Sequence, residues 1–321
     1  MYDVIIIGGG PAGLTAAIYN ARARLKVLIL EQTKLGGQIV STHEIANFPG
    51  SIKQNDGETS GPELIQRMTE QAKEFGAEIE IGKKVVDLDL SDTVKKITCQ
   101  DGTILEAYAV ICANGAHPRG IGCPGERELS GKGVSYCATC DGAFFEDLEV
   151  FVIGGGNSAV EEAMFITTFA RKVTLIQNLA FLTADAIAIE QAKSNDKISY
   201  IFNSVVDSIE GDGIVEAMTI KNTETGELTR FEADEEDGTF GIFIFIGNVP
   251  NSDIYQGVLN LNEYGYVVTD DAMKTDVPGV FACGDVRPKV LRQVITAAGD
   301  GATAAFSAQK YIEKIKSMEV V

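Results

Sequence analysis

The sequence lacks a surplus of cations: 27 Lys and Arg stand against 46 Asp and Glu, a formal net charge of -19. Nucleic acids and anionic membranes are bound by displacing counterions with clustered cations, so neither is expected as a partner. Long apolar runs are missing as well, none approaching the ~20 residues that span a bilayer. No basic segment precedes the first apolar run, Val4 to Ile7, which therefore reads as a strand and not a signal peptide. A cytoplasmic address is the expectation. Cysteine is sparse, six in 321 residues, which excludes a secreted disulfide scaffold. What is plentiful is apolar residues, 45%, and 34 glycines, the composition of an α/β protein with many tight turns and room for two domains.

The glycines fall in an internal repeat. Val4 to Ala17 (VIIIGGGPAGLTAA) resembles Val150 to Ala163 (VFVIGGGNSAVEEA) with every position displaced by 146 residues. Each copy reads as strand, glycine turn and helix, with a second strand at Val27 to Leu30 or Val173 to Ile176. In the first copy Gly8 permits the turn, Gly10 lets a pyrophosphate approach the backbone, and Gly13 lets the helix from Pro11 to Arg24 sit close on the strand. Glu31, 18 residues after Gly13, is placed to grip a ribose diol. A merely structural glycine turn is the alternative.

Further strands are expected at Glu78 to Ile81, Val85 to Leu90, Lys95 to Thr98 and Tyr108 to Cys112, with a helix from Gly61 to about Phe75. A tail comprising Gly265 to Val268, Val280 to Ala282 and a helix from Gln293 to Lys314 returns to the first domain, because that helix needs a sheet to cover. The expected fold is α/β, two Rossmann-like nucleotide-binding domains of three-layer ββα type, the second inserted in the first: 1–116 and 245–321 around 117–244.

Cys137 and Cys140, separated by Ala-Thr and followed by Asp141, are the reactive candidates. Such a pair at a helix start closes a small reducible disulfide, and a helix N-terminus lowers a thiol pKa. The rivals are half a zinc site and a buried pair of small residues. Zinc needs four ligands, and there is no second CxxC and only His43 and His117, neither at ligand spacing, so no metal is expected. Asp141 exchanges a proton with thiol or cofactor, or else caps the following helix. Gly284-Asp285, after an apolar strand, puts a carboxylate where α/β sheets bind ligands, and Arg292 and Gln293 open the last helix. Cys99, Cys112, Cys123 and Cys283 read as structural.

The repeat supplies its own control. Where the first copy has Glu31, the second has Gln177, followed by Asn178-Leu-Ala-Phe-Leu-Thr183. Neither a carboxylate for NADH nor a basic cluster for the 2′-phosphate of NADPH is present. Losing one hydrogen bond to a charged group, about 1.5 to 3 kcal/mol, weakens binding roughly tenfold to a hundredfold. The alternative is that another loop supplies these contacts.

Taken together, Gly8 to Gly13, Gly36-Gly-Gln38, Asn47-Phe-Pro-Gly50, Cys137-Ala-Thr-Cys-Asp-Gly142, Gly154 to Ala159, Gly247-Asn-Val-Pro-Asn251, Gly284-Asp285 and Arg292-Gln293 resemble the low-molecular-weight thioredoxin reductases over nearly the whole chain. The resemblance implies non-covalent FAD, with Gly8, Gly10, Pro11, Ala12, Gly13, Glu31, Gly37, Gln38, Asn47, Gly284, Asp285, Arg292 and Gln293 matching the family's cofactor contacts. It also implies that Cys140 lies nearest the flavin, that Cys137 attacks the substrate disulfide, that Asp141 gives and takes the proton, and that the protein is a homodimer acting on thioredoxin.

The chain departs from NADPH-dependent members at 177–183, where they carry His-Arg-Arg and a further arginine, and has Asn157 for Asp and Asn114 for Thr. In this it resembles a branch of the family that takes electrons from ferredoxin or a reduced deazaflavin. Ferredoxin is the expected donor, with NADH, NADPH or deazaflavin, or a redox-sensing flavoprotein without turnover, as alternatives. Residues 117–244 carry 9 basic and 22 acidic side chains, a charge of -13 that leaves -6 of the -19 elsewhere. Ferredoxin is therefore expected to dock on the flavin domain, on a patch such as Arg287, Lys289 and Arg292 or Arg22, Arg24 and Lys26, with ordinary solvated surface charges as the alternative.

Overall fold

The computed structural model describes residues 1–41, 45, 47–50 and 60–319; His43 lies outside them. The chain divides into two compact units, Met1–His117 with Val249–Val321 and Pro118–Asn248. No helix among the described residues is long and apolar enough to cross a membrane.

The first unit is built from β1 (Tyr2–Ile7), α1 (Pro11–Arg22), β2 (Val27–Glu31), α2 (Gly61–Glu74), β3 (Glu78–Ile81), β4 (Val85–Asp89), β5 (Lys95–Cys99) and β6 (Ile104–Cys112). The sheet runs β3-β2-β1-β6-β5-β4. β6 is longer than expected because its two halves do different things. Its first half pairs antiparallel with β5, and its second half pairs β1 on one side. β1 is continuously apolar because both of its faces are covered. Val4 and Ile6 enter a core with α1, α2 and the last helix, while Ile5 and Ile7 enter another with Val85, Leu88, Ile97 and Tyr255.

The second unit follows β7 (Ala116–Pro118) with β8 (Val134–Ser135), α3 (Ala138–Asp141), β9 (Glu149–Ile153), α4 (Asn157–Ile166), β10 (Lys172–Ile176), α5 (Ala186–Lys193) and β11 (Ile198–Ile201). It continues through β12 (Ser204–Glu210), β13 (Ala217–Asn222), β14 (Leu228–Glu232) and β15 (Gly241–Ile244). A parallel sheet β11-β10-β9-β15-β8 carries helices on one face and the antiparallel β12-β13-β14 on the other, a ββα stack. After β16 (Asn248–Pro250), which pairs with β7, the chain supplies β17 (Val280–Ala282), parallel to the second half of β6, and α6 (Val294–Glu319). The stretch Gly265 to Val268 is not a strand: only Val267 bridges, to Leu261, since Gly265 turns the chain with φ +83°.

The repeat extends to hydrogen-bond register. Val4 pairs Val27 and Ile7 pairs Leu30; Val150 pairs Val173 and Ile153 pairs Ile176, each displaced by 146. Gly8 N donates to Leu30 O, and Gly154 N to Ile176 O, both at 2.9 Å. A Cβ on Gly13 would lie 2.0 Å from Gly8 O, so the first copy's helix meets its strand at a distance only glycine allows.

Candidate active site

The residues matched to a flavin site converge on the glycine turn of the first unit. Gly36 N donates to Gly9 O at 2.8 Å, bringing the segment from Gly36 to Gln38 against the turn. Glu31 stands at the end of β2, its Oε2 accepting from Gly9 N and its Oε1 from Thr33 N, both at 2.9 Å. A carboxylate has lone pairs left over for a diol after two such bonds. A Cβ on Gly284 would come within 2.8 Å of Ala12 Cβ, so Gly284-Asp285 touches the first turn of α1. Asn47 Nδ2 donates to Gln293 Oε1 at 3.0 Å, and the Gln38 side chain donates to Ala116 O.

Two polar atoms in this region are buried without a partner, Oδ1 of Asp285 and Nε of Arg292. Buried polar groups are almost always hydrogen-bonded, so orphans of opposite character mark where a polar ligand belongs. Burial pushes the Asp285 carboxyl up, partly offset by Lys289 and Arg292. The Arg292 guanidinium lies 5.0 Å from the centre of the Tyr266 ring.

The expectation that Arg287 and Lys289 form a solvated docking patch is overturned. Both pair with Oδ2 of Asp300 on α6, at 3.1 and 3.0 Å, with side chains 14% and 7% exposed. Arg22, Arg24 and Lys26 are exposed. Of these, Lys26 lies beside Asp3, whose carboxylate accepts from Lys26 N at the start of β1, the opposite end of the strand from the glycine turn. Arg287 and Lys289 are therefore members of an ion cluster with Asp300 and not free surface cations.

In the second unit Cys137 and Cys140 form a disulfide, Cα atoms 5.3 Å apart, half-buried at the head of α3. α3 is one turn long, shorter than a redox pair at a full helix N-terminus suggests, and passes directly into a 3₁₀ turn, Gly142–Phe145. Asp141 occupies the cap position of that turn without capping it. Its carboxylate instead accepts from Ser135 Oγ at 2.5 Å. One residue on, Tyr136 Oη donates to the buried Glu126 at 2.7 Å. Neither Ser135 nor Glu126 was singled out from the sequence, where the only available signal is Ser135 standing two residues before Cys137. The other four cysteines are not in disulfides. Burial raises every one of their thiol pKa values, Cys112 to about 12 and Cys123 to about 11, so they stay protonated and unreactive.

At the end of β10, Gln177 is only 6% exposed. Its Oε1 accepts from Asn178 N at 3.1 Å and its Nε2 donates to Phe181 O at 3.4 Å, so the amide serves its own loop. That loop presents Leu179 and Phe181, 40% and 62% exposed, and no Lys, Arg or His occurs between Lys172 and Lys193.

The family model described as pyridine nucleotide-disulphide oxidoreductase matches residues 2–301. A thioredoxin reductase of Peptoclostridium litorale is 58% identical over 315 residues, covering 98% of each chain. That of Bacillus subtilis is 45% identical over 98% of this chain and 96% of its own. The chain belongs to the thioredoxin reductase family. The crystal structure of thioredoxin reductase from Streptococcus pyogenes superposes with a TM-score of 0.90 at 42% identity, covering 98% of this chain and 99% of that one. As a member of this family the chain is an FAD flavoprotein and an oxidoreductase with a redox disulfide. The first unit fits that cofactor. It offers a glycine turn for a pyrophosphate, Glu31 for a diol, and Oδ1 of Asp285 and Nε of Arg292 for hydroxyls and acceptors.

Proposed function

We propose that this chain reduces thioredoxin with electrons that reach its FAD from ferredoxin and not from NADH or NADPH. The observation that carries the donor assignment is the second glycine cradle. The residue equivalent to Glu31 is the buried amide of Gln177, and a span of 20 residues around it, 173–192, contains no cation. A 2′-phosphate finds no counter-charge there, the position equivalent to Glu31 offers a ribose diol an amide and not a carboxylate, and the carboxylate that does reach the turn, Asp185, accepts from Asn157 Nδ2 at 2.9 Å. FAD, when bound, lets a one-electron donor serve a two-electron disulfide.

The chain's own residues do the rest. The Cys137–Cys140 disulfide takes up two electrons and two protons and becomes a dithiol. Cys137 as thiolate attacks a sulfur of the thioredoxin disulfide, forming a mixed disulfide and releasing one thioredoxin thiolate, which is protonated. Cys140 then attacks Cys137, restoring the enzyme disulfide and freeing the second thioredoxin thiol. Asp141 gives and recovers the proton at the attacking sulfur. The same reading makes the protein a homodimer, as the resemblance implies, and places it in the cytoplasm.

Anaerobic titration of one oxidised holoenzyme with three donors tests the assignment. Reduced ferredoxin bleaches the flavin absorbance, while stoichiometric NADPH and NADH leave it unchanged. The name of the matched family favours a nucleotide donor; bleaching by one equivalent of NADPH establishes that second reading and ends the first.

Asp285 gives a pH test of the flavin site. Burial raises its carboxyl pKa, and holding hydroxyls favours its ionised form, so FAD binding releases a proton. Below the raised pKa the FAD dissociation constant is expected to climb toward tenfold per pH unit. Flavin-fluorescence titrations should show that slope in the wild type and lose it in Asp285→Asn; a parallel dependence in both removes Asp285 from the site.

A further inference from the structure

The hydroxyl of Ser135 sits between the two groups the proposed reaction must coordinate. It donates to Asp141 Oδ2 at 2.5 Å and accepts from the backbone N of Cys137 at 3.1 Å. The Cys137 carbonyl oxygen lies 3.4 Å from the same Oγ, a second place for its single proton. Ser135 is 5% exposed and ends β8, whose Val134 and Ser135 pair with Ile242 and Phe243 of β15, so the hydroxyl is carried by the sheet and not by a loop.

On Asp141's own turn stand the two cysteines. The neighbouring Tyr136 is turned to Glu126, and α4, packed on α3, carries Glu161 and Glu162. None of β8, α3, the Gly142–Phe145 turn or α4 contains Lys, Arg or His. From β8, Ser135 offers a charge on Asp141 a neutral donor. A hydroxyl has one proton and rotates freely. With Asp141 ionised, the proton belongs on Oδ2. With Asp141 protonated, it is free to swing to Cys137 O, while the carboxylic acid can donate to Oγ. The Ser135 hydroxyl keeps a partner in both states without moving a heavy atom.

We propose that Ser135 is a positioning residue for Asp141, holding its ionised form ready to take the proton of the attacking thiol and tying its state to the backbone of Cys137. This rests on Asp141 being the proton carrier. Removing a hydrogen bond to the charged form raises a carboxyl pKa. In Ser135→Ala, and equally in Ser135→Gly, the acid limb of the thioredoxin reaction is therefore expected to move up by about one pH unit. Ser135→Thr, which keeps the hydroxyl, should leave the limb in place.

The test uses holoenzyme reduced beforehand with one equivalent of dithionite and mixed with oxidised thioredoxin from pH 5 to 9, so that it does not depend on the natural donor. Support is a shifted limb in Ser135→Ala together with a Ser135→Ala, Asp141→Asn double variant no slower than Asp141→Asn alone. An unmoved limb in both hydroxyl-less variants, with flavin spectra intact and Asp141→Asn slow, overturns the role of Ser135 and leaves Asp141 standing. So does a double variant slowed by a further independent factor. An Asp141→Asn enzyme with the wild-type rate and limb overturns both assignments.

Discussion

Cys137→Ser is expected to cut thioredoxin reduction by at least about 10³-fold while leaving reduction of the flavin by its donor at the wild-type rate. A serine hydroxyl is not ionised at neutral pH and cannot replace the thiolate that opens the substrate disulfide. The residues matched to the flavin site, Asp285, Arg292 and the glycine turn among them, belong to the other compact unit. Cys140→Ser separates the two sulfurs. Cys137 can still attack, but nothing resolves the product, so a mixed disulfide with thioredoxin should accumulate and survive non-reducing electrophoresis. The remaining thiols are held protonated by burial, Cys283 and Cys112 most strongly, and none is a substitute nucleophile. Thioredoxin turnover by Cys137→Ser above a hundredth of the wild-type rate, or a stable adduct formed by Cys137→Ser instead of Cys140→Ser, reverses the roles of the two residues.

The parts of this site legible in the sequence are those written in consecutive residues. The glycine turn, Glu31, the CxxC pair and the contrast with Gln177 each need only spacing and a repeat offset, and β1 and β9 need only a run of apolar residues covered on both faces. Partnerships between distant segments left no such mark. Arg287 and Lys289 look like surface cations because the carboxylate that pairs with them is not a neighbour in sequence but 11 to 13 residues away on α6. Tyr255, fully buried, donates to the Asn114 side chain across 141 residues, giving that departure from the family pattern a structural partner. β14 leaves four of its five residues exposed, so it carries no alternation for a pattern to detect. Ser135 was overlooked for the opposite reason: it is buried beside a conspicuous motif, and a serine in a strand announces nothing until its partner is seen.

Asp300→Ala is expected to lower unfolding stability by about 3 to 5 kcal/mol, the largest loss foreseen for any single side chain outside the hydrophobic cores. Its Oδ2 accepts from Arg287 Nη1, Lys289 Nζ and Gly284 N at 3.1, 3.0 and 3.1 Å, and the three charged side chains are 14%, 7% and 12% exposed. Removing the carboxylate leaves two cations and an amide in a site with little water. Surface pairs such as Lys310 with Glu313, both more than half exposed, should by contrast cost under about 1 kcal/mol. The loss has a functional consequence, because Gly284 and Arg287 flank Asp285, and freeing that segment should weaken FAD binding in parallel with stability. A buried ion cluster is costly to break and seldom worth its desolvation, so replacing all three groups by apolar side chains of similar size should recover most of the loss. Recovery of stability without recovery of FAD affinity separates the two effects: the cluster then serves to aim Asp285, not to hold the domain together. Denaturant titrations of the single and triple variants, with and without FAD, measure both. An Asp300→Ala protein within 1 kcal/mol of the wild type would mean that Arg287 and Lys289 reach solvent and that the cluster is not closed.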